Sequence, residues 1–132
     1  MNIIVDTSVL IAVLTSEPEK QKLINLTRGM DLLAPGSVHW EIGNALAAML
    51  KRKRITQDQI QSILEAYNQI PIRFMDINLV ASLQVAADYD LYAYDAYIIA
   101  CARENHCSLI SLDKALCKAA LNARVNVLEV FL

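Results

Sequence analysis

The sequence predicts a single α/β domain, spanning residues 1–132, that is built on a mostly parallel, doubly wound sheet. Short apolar segments that could form buried strands alternate about five times with longer segments of helical periodicity. Only 3 Gly and 3 Pro interrupt the 132 residues, so the connections must be short, and no stretch has the composition of a linker. Right-handed crossovers would place the helices against the sheet.

The first predicted strand ends at a carboxylate. Residues 3–5 (I-I-V) form an unbroken β-branched run, which is typical of a central parallel strand buried on both faces. The run stops at Asp6, and a helix-compatible segment follows. One interpretation of Asp6 is a helix N-cap, because Asp caps well. The other is a ligand-binding carboxylate, since open α/β sheets bind ligands at the carboxyl edge of their strands.

The other elements follow in order along the chain. A helix ends near Gly29, a second strand covers 32–34, and a long helix with apolar residues at helical spacing begins at Ser37. Thr56 and Gln59 predict a capping box at the start of the next helix. The remaining predicted elements are a strand at 72–75, helices at 78–88 and from Asp95, a strand at 107–112, a helix at 114–123 and a last strand at 125–130.

Composition and hydropathy predict where in the cell the protein is located. Hydrophobic residues make up 55% of the chain and the mean hydropathy is +0.33, so we expect a partner to cover part of the surface. No apolar run approaches the roughly 20 residues that span a bilayer. No basic region precedes the first apolar stretch, as a signal peptide would require. These features predict a cytoplasmic protein without membrane contacts.

The numbers of cysteines and histidines and the net charge restrict the kinds of functional site that the chain could form. The 3 Cys lack C-x-x-C spacing, which favours reduced thiols over disulfides or zinc ligands. With only 2 His, a His-based metal site or a Ser-His-Asp triad has little support. The net charge of −2 does not exclude a polyanionic partner, because cations bound to a group of acids would offset their charge.

Four carboxylates are predicted to meet at one edge of the sheet. Asp6 and Asp113 each follow an apolar strand, whereas Glu41 and Asp95 lie in the first turns of helices that follow the same edge. The helix of Asp95 is apolar almost all round, so an isolated carboxylate there would be costly without a partner, a metal or an edge position. Four acids without a Cys or His cluster form a hard-oxygen site suited to one or two Mg²⁺ or Mn²⁺ ions, which support attack of water on a phosphodiester.

Four short motifs contain these acids. They are V-D-T-S at 5–8, E-I-G-N-A-L at 41–46, D-A-Y-I-I-A at 95–100 and L-I-S-L-D at 109–113. In this order they resemble the four signature blocks of PIN domains, and the chain is most similar to the VapC-type toxins of bacterial and archaeal toxin–antitoxin pairs. The resemblance covers essentially the whole chain. One departure is His106-Cys107 in the turn before the fourth strand, where these proteins usually carry Gly.

The resemblance implies both a fold and an activity. The fold would be a three-layer α/β/α sandwich around a five-stranded parallel sheet, and the activity that of a Mg²⁺- or Mn²⁺-dependent endoribonuclease acting on RNA. It also implies a homodimer and a cognate antitoxin that binds in trans. Asn44 would orient Glu41. The implied catalytic and metal-binding acids are Asp6, Glu41, Asp95 and Asp113, and the implied polar supports are Ser8, Asn44 and Ser111.

A basic cluster ends the long helix that carries Glu41. It consists of Lys51, Arg52, Lys53 and Arg54. One interpretation is a solvated helix C-terminus whose charges offset the helix dipole. The other is a patch that contacts RNA phosphates. At about 1.5 Å per residue, Lys53 would lie roughly 18 Å from Glu41 along the helix, so the cluster could contact an RNA strand without taking part in the chemistry.

Aromatic residues accompany two of the acids. Tyrosines 89, 92, 94 and 97 surround Asp95, and Trp40 precedes Glu41. Packing in the core or in a dimer interface is the favoured interpretation, because Tyr buries a large area while its hydroxyl finds a partner. The alternative is a surface on which unpaired bases stack.

Two other functions fit parts of the pattern. A receiver-type phosphoacceptor domain shares the size, the parallel sheet and an acidic Mg²⁺ pocket. It would need paired acids after the first strand and a Lys after the fifth, but no Lys follows Ala119. A PIN fold that only binds, without catalysis, is the second alternative, since a fold does not guarantee a function. The full set of acids argues against it.

Overall fold

A computed structural model describes residues 1–131, which form a parallel sheet of four strands and seven helices. The strands are β1 (Asn2–Val5), β2 (Asp31–Pro35), β3 (Ile72–Met75) and β4 (Ser108–Ile110). The helices are α1 (Thr7–Leu14), α2 (Lys20–Thr27), α3 (Ser37–Lys51), α4 (Gln57–Gln69), α5 (Leu79–Tyr89), α6 (Ala93–Glu104) and α7 (Lys114–Asn122). Among these helices, none is both long and apolar enough to cross a membrane.

The strand order is β3-β2-β1-β4, and all three ladders are parallel. Ile4 pairs with Leu33 of β2 on one side and with Leu109 of β4 on the other. The chain steps from β1 to β2 to β3 in one direction and then returns past β1 to β4. Right-handed crossovers therefore put α1 to α4 on one face and α5 and α6 on the other. The predicted α/β/α fold class is confirmed.

The prediction of a fifth strand is wrong. Within residues 1–131, the segment 125–130 pairs with β4 through a single bridge between Leu109 and Val127. The Leu109 N–H donates to the Asn126 carbonyl at 2.9 Å, and the Leu128 N–H donates to the Leu109 carbonyl at 2.8 Å. Val125 and Val130 are both buried. With a single bridge, the segment runs beside β4 without forming a fifth strand.

The core lies on both faces of the two central strands. Ile4, Leu109 and Ile110 are each 0% exposed. On α6 the core includes Ile98 and Ile99 together with four small or thiol-bearing residues, which explains why this helix is apolar almost all round. Burying each large aliphatic side chain contributes about 1.5–3 kcal/mol. The rigid centre of the sheet thereby fixes the loops that leave the carboxyl ends of β1 and β4.

Several helix ends use left-handed residues other than glycine. His106, in the turn where PIN domains usually carry Gly, has φ of 53°. It therefore adopts the conformation that glycine would adopt, at a cost of about 1–2 kcal/mol for a residue with a Cβ. The predicted capping box at the N-terminus of α4 is confirmed. The Gln59 N–H donates to Thr56 Oγ1 at 3.2 Å, and the Thr56 N–H donates to Gln59 Oε1 at 2.8 Å.

Candidate active site

The strand order reverses between β1 and β4, and open α/β sheets bind ligands at the carboxyl end of such a switch point. Asp6 follows β1 directly and is the N-cap of α1. Asp113 lies in the short connection after β4 and is the N-cap of α7. Two of the four predicted acids are therefore placed beside each other by the pairing of two adjacent strands.

Asp6 is 6% exposed and accepts hydrogen bonds on both of its oxygens. Oδ1 accepts from the Ser8 hydroxyl at 2.7 Å and from the Val9 backbone N–H at 3.3 Å. Oδ2 accepts from the Ser111 hydroxyl at 2.6 Å. The two interpretations of Asp6 are therefore compatible. One oxygen caps α1, and the other is held by a residue from the far end of the chain.

Ser111 links Asp6 to the segment that carries Asp113. Its hydroxyl donates to Asp6 and accepts from the Asp113 backbone N–H at 2.9 Å. Ser8 Oγ accepts from the Leu112 N–H at 2.9 Å and lies 3.4 Å from Ser111 Oγ. The two serines named as supports thus tie the first turn of α1 to the loop after β4.

The charges of the four acids act on one another in a closed ring. Burial, together with the charges of Asp6 and Asp95, raises the pKa of Glu41 to about 7. Burial also raises the pKa of Asp95, and so does the charge of Asp113. The pKa of Asp6 is raised by burial, against the hydrogen bonds from Ser111, Ser8 and Val9, and the charge of Asp113 adds to the rise. Each acid therefore lies within electrostatic range of two others at this edge of the sheet.

The residues present fit a divalent cation. Glu41 Oε2 is buried and has no hydrogen-bond partner among residues 1–131. A buried carboxylate oxygen without a partner is costly, and a cation would both satisfy it and offset the repulsion between the acids. As they stand, no three Asp, Glu, His or Cys side chains in the described part of the chain are close enough to hold an ion together. A cation bound by three or more of these side chains would therefore require them to move closer together.

Glu41 belongs to this ring but lies further along α3 than predicted, whereas Asn44 and the basic cluster lie outside the ring. Glu41 is the fifth residue of α3, so it lies in the second turn, and the prediction of the first turn is wrong. Asn44 is exposed and makes no hydrogen bond to Glu41 Oε2, so its orienting role stays a prediction. The basic cluster is exposed at the end of α3.

The family model of the PIN domain matches residues 3–122. The chain belongs to the PIN domain family. A comparison with curated protein sequences gives no significant match.

Solved structures also resemble this PIN domain along nearly its whole length. FitAcB from Neisseria gonorrhoeae has a TM-score of 0.71 and 16% identity over 97% of each chain. VapBC2 from Rickettsia felis, bound to a DNA fragment from their promoter, has a TM-score of 0.70 and 14% identity over 98% of each chain. A toxin–antitoxin complex from Klebsiella pneumoniae has a TM-score of 0.65 and 17% identity over 98% of each chain. At these identities the likeness is one of fold.

Sequence reasoning missed one side chain of the PIN domain that lies next to the site. The Cys117 thiol, one turn along α7 from Asp113, donates to the Ser111 carbonyl at 3.6 Å. Burial raises the pKa of this thiol, and the nearby charge of Asp6 raises it further. The available signal was the spacing of four residues from Asp113, which places both side chains on the same face of a helix.

We expect Ser111→Ala to lower the free energy of unfolding by about 1–3 kcal/mol, because Asp6 Oδ2 loses its donor and the Asp113 N–H loses its acceptor in a buried site. Urea denaturation would measure the change. Ser62→Ala, on an exposed position of α4, is the matched control and should stay within about 0.5 kcal/mol of the wild type. A Ser111→Ala protein as stable as the control would show that this link does not stabilise the fold.

Proposed function

We propose that this PIN domain is a metal-dependent endoribonuclease that hydrolyses RNA phosphodiester bonds in the cytoplasm, as the toxin of a toxin–antitoxin pair. The observation that carries the proposal is the ring of four mutually repelling carboxylates at the sheet's switch point, with one buried oxygen of Glu41 left unpaired. Such a group is poorly suited to a purely structural role, and a bound cation would remove both costs while the acids stay ionised.

The four acids would hold one or two Mg²⁺ or Mn²⁺ ions. When bound, such ions lower the pKa of water and stabilise the attacking and leaving oxygens of a phosphodiester. Asp6 would present its oxygens from a fixed position, because Ser8 and Ser111 restrain the carboxylate. Glu41 would supply a free ligand oxygen, since its Oε2 is unpaired among the described residues, and in the metal-free protein its pKa is about 7.

The proposed partners are an antitoxin and a second copy of the chain. The likeness to the toxin–antitoxin complex from Klebsiella pneumoniae supports the antitoxin. The homodimer is supported by an aliphatic face of α5 on which Leu79, Val80 and Leu83 are 58%, 83% and 53% exposed. Light scattering should therefore report about twice 14.7 kDa, and a monomer at micromolar concentration would remove the homodimer from the proposal.

RNA cleavage tests the central proposal. Purified protein would be incubated with total RNA and either Mn²⁺ or EDTA, and the 5′ ends of the products would be mapped. We expect cleavage with Mn²⁺, none with EDTA, and at least a hundredfold loss for Asp95→Asn, since the acids act only together with the cation. Asp31→Asn, an exposed acid at the amino end of β2, is the matched control and should cleave like the wild type. Cleavage that persists undiminished in EDTA would overturn the proposal, and an inactive protein that still binds Mn²⁺ would favour the binding module.

The exposed basic cluster is assigned to the RNA backbone in this proposal. Lys51 is the last residue of α3, the helix that also carries Glu41, and Arg52, Lys53 and Arg54 follow it. Their contribution would be affinity for phosphates rather than chemistry, so it should weaken as salt rises.

A further inference from the structure

Several aromatic side chains are exposed, and one of them contacts a charged group. Trp40, Tyr92 and Tyr94 are 74%, 89% and 57% exposed, so packing in the core is the wrong interpretation for these three residues. Phe131 is 46% exposed, and its ring centroid lies 4.8 Å from Nζ of Lys114, the first residue of α7. The face of an aromatic ring attracts a cation that lies within about 6 Å of its centroid. Phe131 therefore restrains the ammonium group of this lysine.

The segment 125–130 carries Phe131 toward the carboxyl end of β4. The bridge between this segment and β4 pairs Val127 with Leu109 in parallel. Two parallel chains advance in the same direction by about 3.3 Å per residue. Phe131 follows Val127 by the same number of residues as Asp113 follows Leu109. The end of the described chain therefore reaches the edge of the sheet that carries the acids.

A second observation places this segment at the same edge. Burial and the charge of Asp6 raise the pKa of the Cys117 thiol most, and the charge of Glu129 adds to the rise. The same thiol donates to the carbonyl of Ser111, whose hydroxyl donates to Asp6. Val130, the residue after Glu129, is 3% exposed, so the core anchors this part of the segment.

The position of Lys114 does not serve the stability of α7. The positive end of the helix dipole disfavours a cation in the first turn, and a basic residue would stabilise the helix in its last turn. The structure describes all of α7, and its last turn has no basic residue. Lys114 is exposed and directly follows Asp113, so a ligand at the acids could reach its ammonium group. These features indicate a role in binding.

A phosphate group is a suitable ligand for this lysine, because an ammonium group binds phosphate as a compact charge with three donors. We propose that Lys114 contacts an RNA phosphate next to the one that is cleaved, and that Phe131 is a positioning residue that holds the ammonium group for this contact. The inference rests on the proposed function. Cations bound by the acids would interact with the phosphate that is cleaved, which leaves a neighbouring phosphate for the lysine.

The salt dependence of RNA binding tests the phosphate contact. The parent protein is Asp95→Asn with Mg²⁺, so that RNA binds without being cleaved, and the probe is a uridylate decamer labelled for fluorescence anisotropy. A homopolymer is suitable because phosphate contacts do not depend on sequence. We expect Lys114→Gln to make the slope of log affinity against log salt concentration shallower by about 0.7, which corresponds to an affinity about fivefold lower at about 0.1 M salt.

Further variants separate the lysine from its support. Lys118→Gln, an exposed lysine one turn along α7, is the matched control and should bind within about twofold of the parent. Phe131→Leu should weaken binding about threefold, because leucine has no ring face, and Phe131→Trp should restore it. The double variant Lys114→Gln/Phe131→Leu should bind as Lys114→Gln does, because Phe131 acts only through the lysine.

Four results would overturn the inference. An unchanged salt slope in Lys114→Gln would leave the lysine to a protein partner. An equal loss in Lys118→Gln would indicate general attraction between the protein and RNA. A loss shared by Lys114→Arg, which keeps the charge, would indicate damage to the fold. A parent protein that does not bind the decamer would exclude the contact altogether.

The outcome of this experiment is separable from that of the proposed function. A protein that cleaves RNA with Mn²⁺, but whose Lys114→Gln variant binds the decamer like the parent, remains a nuclease and loses only this contact. Cleavage that is insensitive to EDTA would remove the metal-dependent mechanism whatever the decamer shows.

Discussion

Asp6→Asn and Asp95→Asn are each expected to lose most of the stabilisation that Mn²⁺ gives the wild type. A ligand that binds only the folded state adds about 2.7 kcal/mol to the free energy of unfolding when its free concentration is about 100 times its dissociation constant. The gain should be large here because the cation would relieve the mutual repulsion of the acids and pair the buried oxygen of Glu41. Thermal melting of the wild type and both variants, with EDTA and with Mn²⁺, measures it.

Melting in EDTA distinguishes a role of Asp6 in cation binding from a role in helix capping. In Asp6→Asn the side-chain oxygen can still accept from the Val9 N–H, and Asn caps as well as Asp. Removing the charge from a carboxylate whose pKa is raised by burial should leave the metal-free protein equally stable or more stable. Asp31→Asn should melt and respond to Mn²⁺ like the wild type. If all four proteins shift equally with Mn²⁺, these acids do not bind the metal and the nuclease proposal loses its physical basis.

The metal-free wild type should become less stable as the pH rises from about 5 to about 8. Burial, with the charges of Asp6 and Asp95, raises the pKa of Glu41 from 4.5 to about 7 in the folded protein. Between these values the folded state retains a proton that the unfolded chain releases, so the free energy of unfolding falls as the pH rises and levels off above about 7. Because Glu41 is partly exposed, we discount the effect to about 1 kcal/mol, or on the order of 5 °C in Tm.

Glu41→Gln is the variant that isolates this effect. An amide does not titrate, so the Tm in EDTA should change less between about pH 5 and pH 8 than it does in the wild type. Glu65→Gln, an exposed position on α4, supplies the matched control and should retain the wild-type slope. Equal slopes for the wild type and Glu41→Gln would contradict the assignment of a raised pKa to this carboxyl. With Mn²⁺ the wild-type slope should shrink or reverse, because a cation binds the deprotonated acid.

Local patterns were sufficient to predict most of the fold. The β-branched run at 3–5, the stop at Asp6 and the capping box at Thr56 each depend on chemistry within a few residues, and each is found as predicted. The last segment could not be predicted in this way. Val125 and Val130 indicate a strand by composition, but whether they pair depends on how much of the short β4 is free to accept a neighbour. That is a property of the sheet, not of the segment.

In the candidate site, too, the features that depend on local motifs could be predicted, and those that depend on tertiary contacts could not. The four acids could be named because each lies in a recognisable motif, and the family assignment replaces the receiver-type alternative with a PIN domain. The partners of the acids were harder to predict. Whether Asn44 reaches Glu41 depends on side-chain direction, and the exposure of Trp40 and Tyr94 depends on which neighbours cover them. Side-chain direction and side-chain exposure cannot be derived from the spacing of residues along the chain.

The hydrogen bond between Asp6 and Ser111 joins residues 105 positions apart, and this separation has a consequence for synthesis of the protein. β1 is made before β4, which is its neighbour on one side. A growing chain therefore carries Asp6 through the synthesis of more than 100 further residues without Ser111 to restrain it and without Asp113 to complete the ring of acids. Under the proposed function, a chain whose synthesis stopped before Ser111 would be unable to cut RNA.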